Sequence, residues 1–218
     1  MSRVFRQCPF AAKIWRALIQ ADKLRVFMNI LVQEWFIVNI HGRENPGRNA
    51  LDKATDRWNK PEQNWVKANA DGAMGGALGT AAAGGVMCDH HGNWIRGFSR
   101  SIGICNALKV ELWALHDILV MVWSMGFRKV EVESDCKTAV SLINNRSSGM
   151  DGCTIVKLIK DLLAREWEVK VSYSCRETNM VADKLAAMAR GRVIGTKIYE
   201  EPPIEVIDLD GQERSPIS

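Results

Sequence analysis

Ala107-Leu-Lys-Val-Glu111-Leu-Trp-Ala-Leu-His116-Asp-Ile-Leu-Val-Met-Val-Trp-Ser124-Met-Gly126-Phe-Arg-Lys129-Val-Glu-Val-Glu-Ser-Asp135 is the stretch that decides the architecture. Leu108, Leu112, Leu115, Leu119 and Val122 step along at intervals of three and four, which predicts an amphipathic helix over 107–124. Gly126 is its stop. The β-rich run that follows predicts a strand over 129–134. Two carboxylates sit where these patterns favour something else. Glu111 lies on the apolar stripe of the helix, and Asp135 ends the strand.

Upstream, 67–73 reads as a strand carrying Asp71 just before Gly72. A small-residue strand is expected over 81–89, a hairpin turn at His90-His91-Gly92-Asn93 and a returning strand over 94–101. Downstream, short helices are expected over 137–144 and 154–164, the second capped by Thr154. Val169 and Val171 alternate in a fifth strand over 168–174. A closing helix over 179–190 carries Asp183 and stops at Gly191. The order β-β-β-α-β-α-α-β-α predicts an α/β domain over 65–191, a five-stranded mixed sheet with helices on its faces.

The flanks read differently. Residues 1–60 are expected to form a short helical N-terminal segment and linker. Ala11, Ile14, Trp15, Leu18 and Ile19 give helical spacing behind Pro9, and a charged helix is expected over 50–58. From Arg192 onward the sequence reads as an acidic tail, either flexible or carrying a local strand at Ile198 or Val206-Ile207. Net charge is +4 over 218 residues, spread as +5 over 1–64, +2 over 65–191 and −3 over 192–218. That is compatible with a polyanion partner but too mild for binding by charge alone. No apolar run reaches the eighteen or so residues of a membrane helix, so the expectation is a soluble intracellular protein, nuclear or cytoplasmic. The six cysteines match neither a zinc site nor a compact disulfide framework and are expected as reduced thiols.

Taken singly, each carboxylate has a structural explanation. Asp71-Gly72 suits a turn after a strand. Glu111 can reach solvent or pair with Lys109 or Arg128. Asp135 suits the N-cap of the helix over 137–144. Asp183, beside Lys184, suits solvated surface. Taken together, the topology brings the ends of the first strand, the long helix and the fourth strand to one place, with the last helix closing over it. Buried carboxylates are costly unless paired or holding a metal. An all-oxygen donor set suits Mg2+ or Mn2+ rather than zinc.

Asp71-Gly-Ala, Leu108-Lys-Val-Glu111-Leu-Trp-Ala-Leu, Val132-Glu-Ser-Asp135 and Arg176-Glu-Thr-Asn179-Met-Val-Ala-Asp183-Lys-Leu-Ala, in that order, resemble the ribonuclease H fold. More narrowly, they resemble the plant reverse-transcriptase-like ribonuclease H proteins derived from non-LTR retrotransposons. The resemblance covers about 65–191. It implies a site of Asp71, Glu111, Asp135 and Asp183 binding two Mg2+ (or Mn2+) ions and hydrolysing the RNA strand of an RNA–DNA hybrid. One ion would generate and orient the attacking hydroxide and the other would stabilise the leaving oxygen. It further implies nucleic acid as partner, followed by backbone shape and 2′-hydroxyls, and a monomer.

Val4-Phe-Arg-Gln-Cys8-Pro-Phe-Ala-Ala-Lys-Ile-Trp15 resembles the end of the zinc-binding region that precedes ribonuclease H in such elements. The upstream partner cysteines are absent, so this remnant is not expected to bind zinc. No Tyr-x-Asp-Asp motif supports polymerase activity. Two departures bear on rate and grip. No histidine lies in 166–191, where relatives often carry one before the last helix, and the 144–153 loop has Arg146 as its one cation. Two alternatives stay open: a non-catalytic nucleic-acid-binding or protein-interaction module on this fold, and a different nuclease or transposase on it.

Overall fold

The computed structural model describes residues 58–75, 79–145 and 153–207. The expected helices over 9–20 and 50–58 and the zinc-region remnant therefore lie outside the described residues, apart from Trp58; so does most of the loop around Arg146. Within them the chain forms β1 (Val66–Gly75), β2 (Thr80–Cys88), β3 (Trp94–Ile104), α1 (Ala107–Ser124) and β4 (Lys129–Ser134). α2 (Lys137–Asn144), α3 (Thr154–Leu163), β5 (Glu168–Tyr173), a 3-10 turn at Arg176–Thr178, α4 (Met180–Ala189) and β6 (Gly195–Tyr199) follow.

The strands join in one sheet of order β5-β4-β1-β2-β3-β6. β1, β2 and β3 form an antiparallel meander, while β4 lies parallel to β1 and β5 parallel to β4. α1 starts sharply because the Asn106 Oδ1 accepts the Lys109 N–H at 2.8 Å. It ends at Gly126, whose φ of 86° is the left-handed conformation glycine adopts most readily. The stripe Leu112, Leu115, Ile118, Leu119 and Val122 is completely or almost completely buried. α1 packs on β1 and β2, and the small residues Ala68 and Ala70 of β1 are fully buried. α4 covers the opposite side of β1, β2 and β3.

The mixed α/β sheet expected from the sequence is present, with six strands rather than five. The sixth, β6, comes from the segment read as an acidic tail. Its residues are exposed except Tyr199, so no alternation announces it. Tertiary pairing creates it. β3 offers an open edge, and β6 pairs antiparallel from Gly97↔Tyr199 to Ser101↔Gly195. Tyr199 then anchors it, with its hydroxyl 3.1 Å from Ser99 Oγ and its carbonyl accepting the Trp94 indole N–H at 3.4 Å.

The N-terminal flank is also drawn in. Trp58 packs with Val86, Leu185, Tyr199 and Val206 in a core beside α4. The domain thus extends beyond 65–191 at both ends. Cys105, Cys136 and Cys153 are free thiols. Among the described residues, no helix is long and apolar enough to cross a membrane.

Candidate active site

The parallel register of β1 and β4 pairs Asn69 with Glu133. Asp71 and Asp135, each two residues further on, therefore come level at the same end of neighbouring strands. Asp71 lies within β1, not in a turn, so the turn reading of Asp71-Gly72 is set aside. Asp135 does not cap α2 either. The N-cap there is Cys136, without a side-chain capping bond.

Glu111 reaches the same place because α1 approaches β1 unusually closely. A Cβ on Gly72 would stand 2.7 Å from the Glu111 nitrogen and 2.9 Å from the Val110 carbonyl carbon, which no side chain tolerates. The glycine after Asp71 thus admits a helix rather than a ligand. In return the Gly72 N–H donates to Glu111 Oε2 at 3.0 Å. The Arg128 guanidinium stacks over Trp123, 3.9 Å from its ring centroid, rather than pairing with Glu111.

Each of Asp71, Glu111 and Asp135 presents a ligand atom within 4.8 Å of the others. Asp183 stands outside that trio. It is on the first turn of α4, its side chain 43% exposed, with Oδ1 3.6 Å from the Arg176 Nη2. It remains within electrostatic reach, since its charge raises the pKa of both Asp71 and Glu111. α4 lies close to the sheet for the same reason as α1. Gly84 faces Asp71 across the β1–β2 ladder, and a Cβ there would be 2.2 Å from the Ala186 nitrogen.

Burial, reinforced by crowding, perturbs Asp71 and Glu111 strongly. Burial pushes the Asp71 carboxyl up to about 9, aided by the charges of Glu111 and Asp135, a hydrogen bond to Asp135 and the charge of Asp183. Burial and the charge of Asp135 push Glu111 up to about 8, against the Gly72 N–H and Arg176, which favour its charged form. Burial, then the charge of Glu111, raises the neighbouring Cys136 thiol to about 11. Three carboxyls so placed cannot all ionise unless a cation joins them. Their all-oxygen donor set and mutual spacing fit a hard divalent cation such as Mg2+ or Mn2+.

Two participants were not legible as such in the sequence. Arg176 makes the ion pair with Asp183, and an exposed arginine in a turn carries no local signal. Asn179 sits at the N-cap of α4 yet bonds β1 instead: its Nδ2 donates to the Ala70 carbonyl at 3.1 Å. The same sequence position would serve an ordinary cap.

The family described as reverse transcriptase-like matches residues 69–189, from β1 to the end of α4. A protein of Arabidopsis thaliana named "Putative ribonuclease H protein" is 35% identical over 147 residues. That match covers 67% of this chain but 24% of the relative, so the chain spans about a quarter of the relative's length. Among solved structures, RNase H1 of Halobacterium salinarum superposes with a TM-score of 0.53 at 26% identity, over 57% of this chain and 96% of that one. The N-terminal RNase H domain of a Mycobacterium tuberculosis protein gives 0.53 at 22% identity, over 58% and 98%. LC11-RNase H1, solved in complex with an RNA/DNA hybrid, gives 0.50 at 23%, over 57% and 96%. With the family match running over more than half its residues, this chain belongs to the reverse transcriptase-like family and carries the ribonuclease H fold.

Proposed function

We propose that this chain hydrolyses the RNA strand of RNA–DNA hybrids, with Asp71, Glu111, Asp135 and Asp183 as its catalytic and metal-holding residues. The observation that carries the reading is the trio of carboxylates within 4.8 Å, with Asp71 and Glu111 held protonated near neutral pH unless a cation neutralises them. Asp71, Glu111, Asp135 and Asp183 would hold divalent cations, two in number and Mg2+ by preference, which would supply an activated water and charge neutralisation at the scissile phosphate.

The protein's own groups do the rest. Asp71, whose carboxyl burial keeps protonated, would give up its proton to become an acceptor when a cation is held there. The Gly72 N–H keeps Glu111 Oε2 in one orientation, so that carboxylate needs little reorganisation. Asp183 stands at the exposed rim and completes the set when its contact with Arg176 opens. The fold shared with LC11-RNase H1, itself solved with a hybrid, supports the same substrate class here. Recognition through backbone shape and 2′-hydroxyls follows from that class. A monomer acting in the nucleus or cytoplasm, and descent from a plant retroelement, belong to the same reading; the family and the Arabidopsis relative support the last.

A second reading has one observation in its favour: Asp183, outside the trio and paired to Arg176, leaves the fourth position incomplete as it stands. On that reading the fold binds nucleic acid without cutting it. Incubating the full chain and Mg2+ with end-labelled hybrid, duplex DNA and single-stranded RNA separates the two. The nuclease reading expects cleavage of the RNA strand in the hybrid alone. Retention of intact hybrid without products favours the binding module, and cutting of duplex DNA points to a different nuclease on the same fold.

A further inference from the structure

Trp58 lies ahead of the family match, which begins at residue 69, yet it is buried and its indole reaches the sheet. Its Nε1 donates to Asn69 Oδ1 at 3.0 Å. An indole N–H can only donate, so it selects the oxygen end of the Asn69 amide. The Nδ2 end then faces away and donates to Glu133 Oε2 at 3.2 Å and to Asn179 Oδ1 at 3.3 Å. Glu133 is in turn fixed by Lys67, whose Nζ donates to Oε1 at 2.7 Å. With its oxygen taken, Asn179 turns its Nδ2 to the Ala70 carbonyl, 3.1 Å away. Each amide orientation follows from the one before it, starting at Trp58.

Both ends of this relay meet the candidate site. Ala70 immediately precedes Asp71. The Asn179 carbonyl accepts the Asp183 N–H at 3.0 Å. Asn69 and Asn179 are both buried, so their amides have no water to fall back on. Asn179 also makes no side-chain capping bond to its own helix, the use an N-cap asparagine ordinarily has.

We infer that Asn179 is a positioning residue that holds Asp183 at a set distance from Asp71, and that Trp58, outside the family-matched segment, fixes its orientation through Asn69. The inference rests on the reading that Asp183 contributes to the cation site. A merely structural network would lower stability regardless of what Asp183 is. A positioning role makes the effect depend on Asp183.

The test is Mn2+ affinity by calorimetry on the full chain, without nucleic acid, with a thermal midpoint recorded for each protein. The set is the wild type, Asn179→Ala, Asp183→Asn and the double variant. Asn179→Ala is expected to weaken Mn2+ binding by about tenfold, the lower end for a residue supporting a metal ligand. In the Asp183→Asn background the same change should cost less than about twofold, because the residue it acts through is gone. Trp58→Phe keeps an aromatic ring in the core but removes the indole N–H together with its five-membered ring; it should weaken binding in the same direction, with the loss again below about twofold in the Asp183→Asn background, and decides the matter if Asn179→Ala does not fold. Equal losses in both backgrounds, no loss at all, or a wild type that does not bind Mn2+ overturns the inference. Coupling in Mn2+ binding by a chain that cuts no hybrid would remove the nuclease reading and leave the positioning role standing.

Discussion

Asp71 is the most perturbed group of the trio, and its perturbation has a sign that can be followed. Its pKa rises from an ordinary 3.8 to about 9, and that of Glu111 from 4.5 to about 8, chiefly through burial. Folding therefore favours their protonated forms. The stability they contribute is complete below the unfolded values and is lost as pH rises through the folded ones, between about 4 and about 9. The metal-free protein is expected to melt at progressively lower temperature across that window, and saturating Mg2+ should flatten the decline. Melting without added metal also checks two substitutions. Asp71→Asn and Glu111→Gln each replace a carboxyl whose ionisation folding disfavours, and each should raise the metal-free midpoint near pH 8 by several degrees while abolishing Mg2+-dependent stabilisation. Glutamine can still accept the Gly72 N–H, so a lower midpoint for Glu111→Gln would make that carboxylate structural. The carboxylates themselves were legible as oddities of local pattern. Their crowding was not, because it depends on how closely two helices approach the strand between them.

Two glycines govern that approach, and they act at the scale of whole elements. Gly72 lets α1 lie against β1, and Gly84, opposite Asp71, lets α4 lie against β2. Gly84→Ala would force α4 off the sheet, with a destabilisation of about 1–3 kcal/mol typical of overpacking. Because Asp183 rides on α4, metal affinity should fall with it; denaturant melts and Mn2+ titrations of the variant check both effects. The helical and strand periods made α1, β4 and α2 legible to the residue, since each is a strong local pattern with a clear stop. β6 was legible only as an open alternative, a local strand at Ile198, for the opposite reason. Its exposed residues carry no period, and its existence depends on an edge of β3 that is contiguous with it only in space.

At the scale of the molecule, the family-matched segment is smaller than the folding unit. Trp58 and Tyr199 both lie outside residues 69–189, yet they share a core with Val86, Val181 and Leu185. Burying each such side chain contributes about 1.5–3 kcal/mol. A fragment of 65–191 is therefore expected to be less stable than one of 58–207 by several kcal/mol in urea unfolding, and removal of residues 1–57 alone should leave cleavage intact. The sequence suggested a boundary nearer 65 because a lone tryptophan in a charged stretch does not reveal what it packs against. The central claim is that the crowded carboxylates cut an RNA–DNA hybrid. Its most direct measurement is cleavage of a labelled hybrid by the full chain across a Mg2+ titration, beside Asp135→Asn. The expected result is RNA-strand products that appear with Mg2+ and fall by a factor of at least about a hundred in the variant, as loss of a group that acts with its neighbours as a unit does. Products equal in the two proteins, or absent from both, would contradict it.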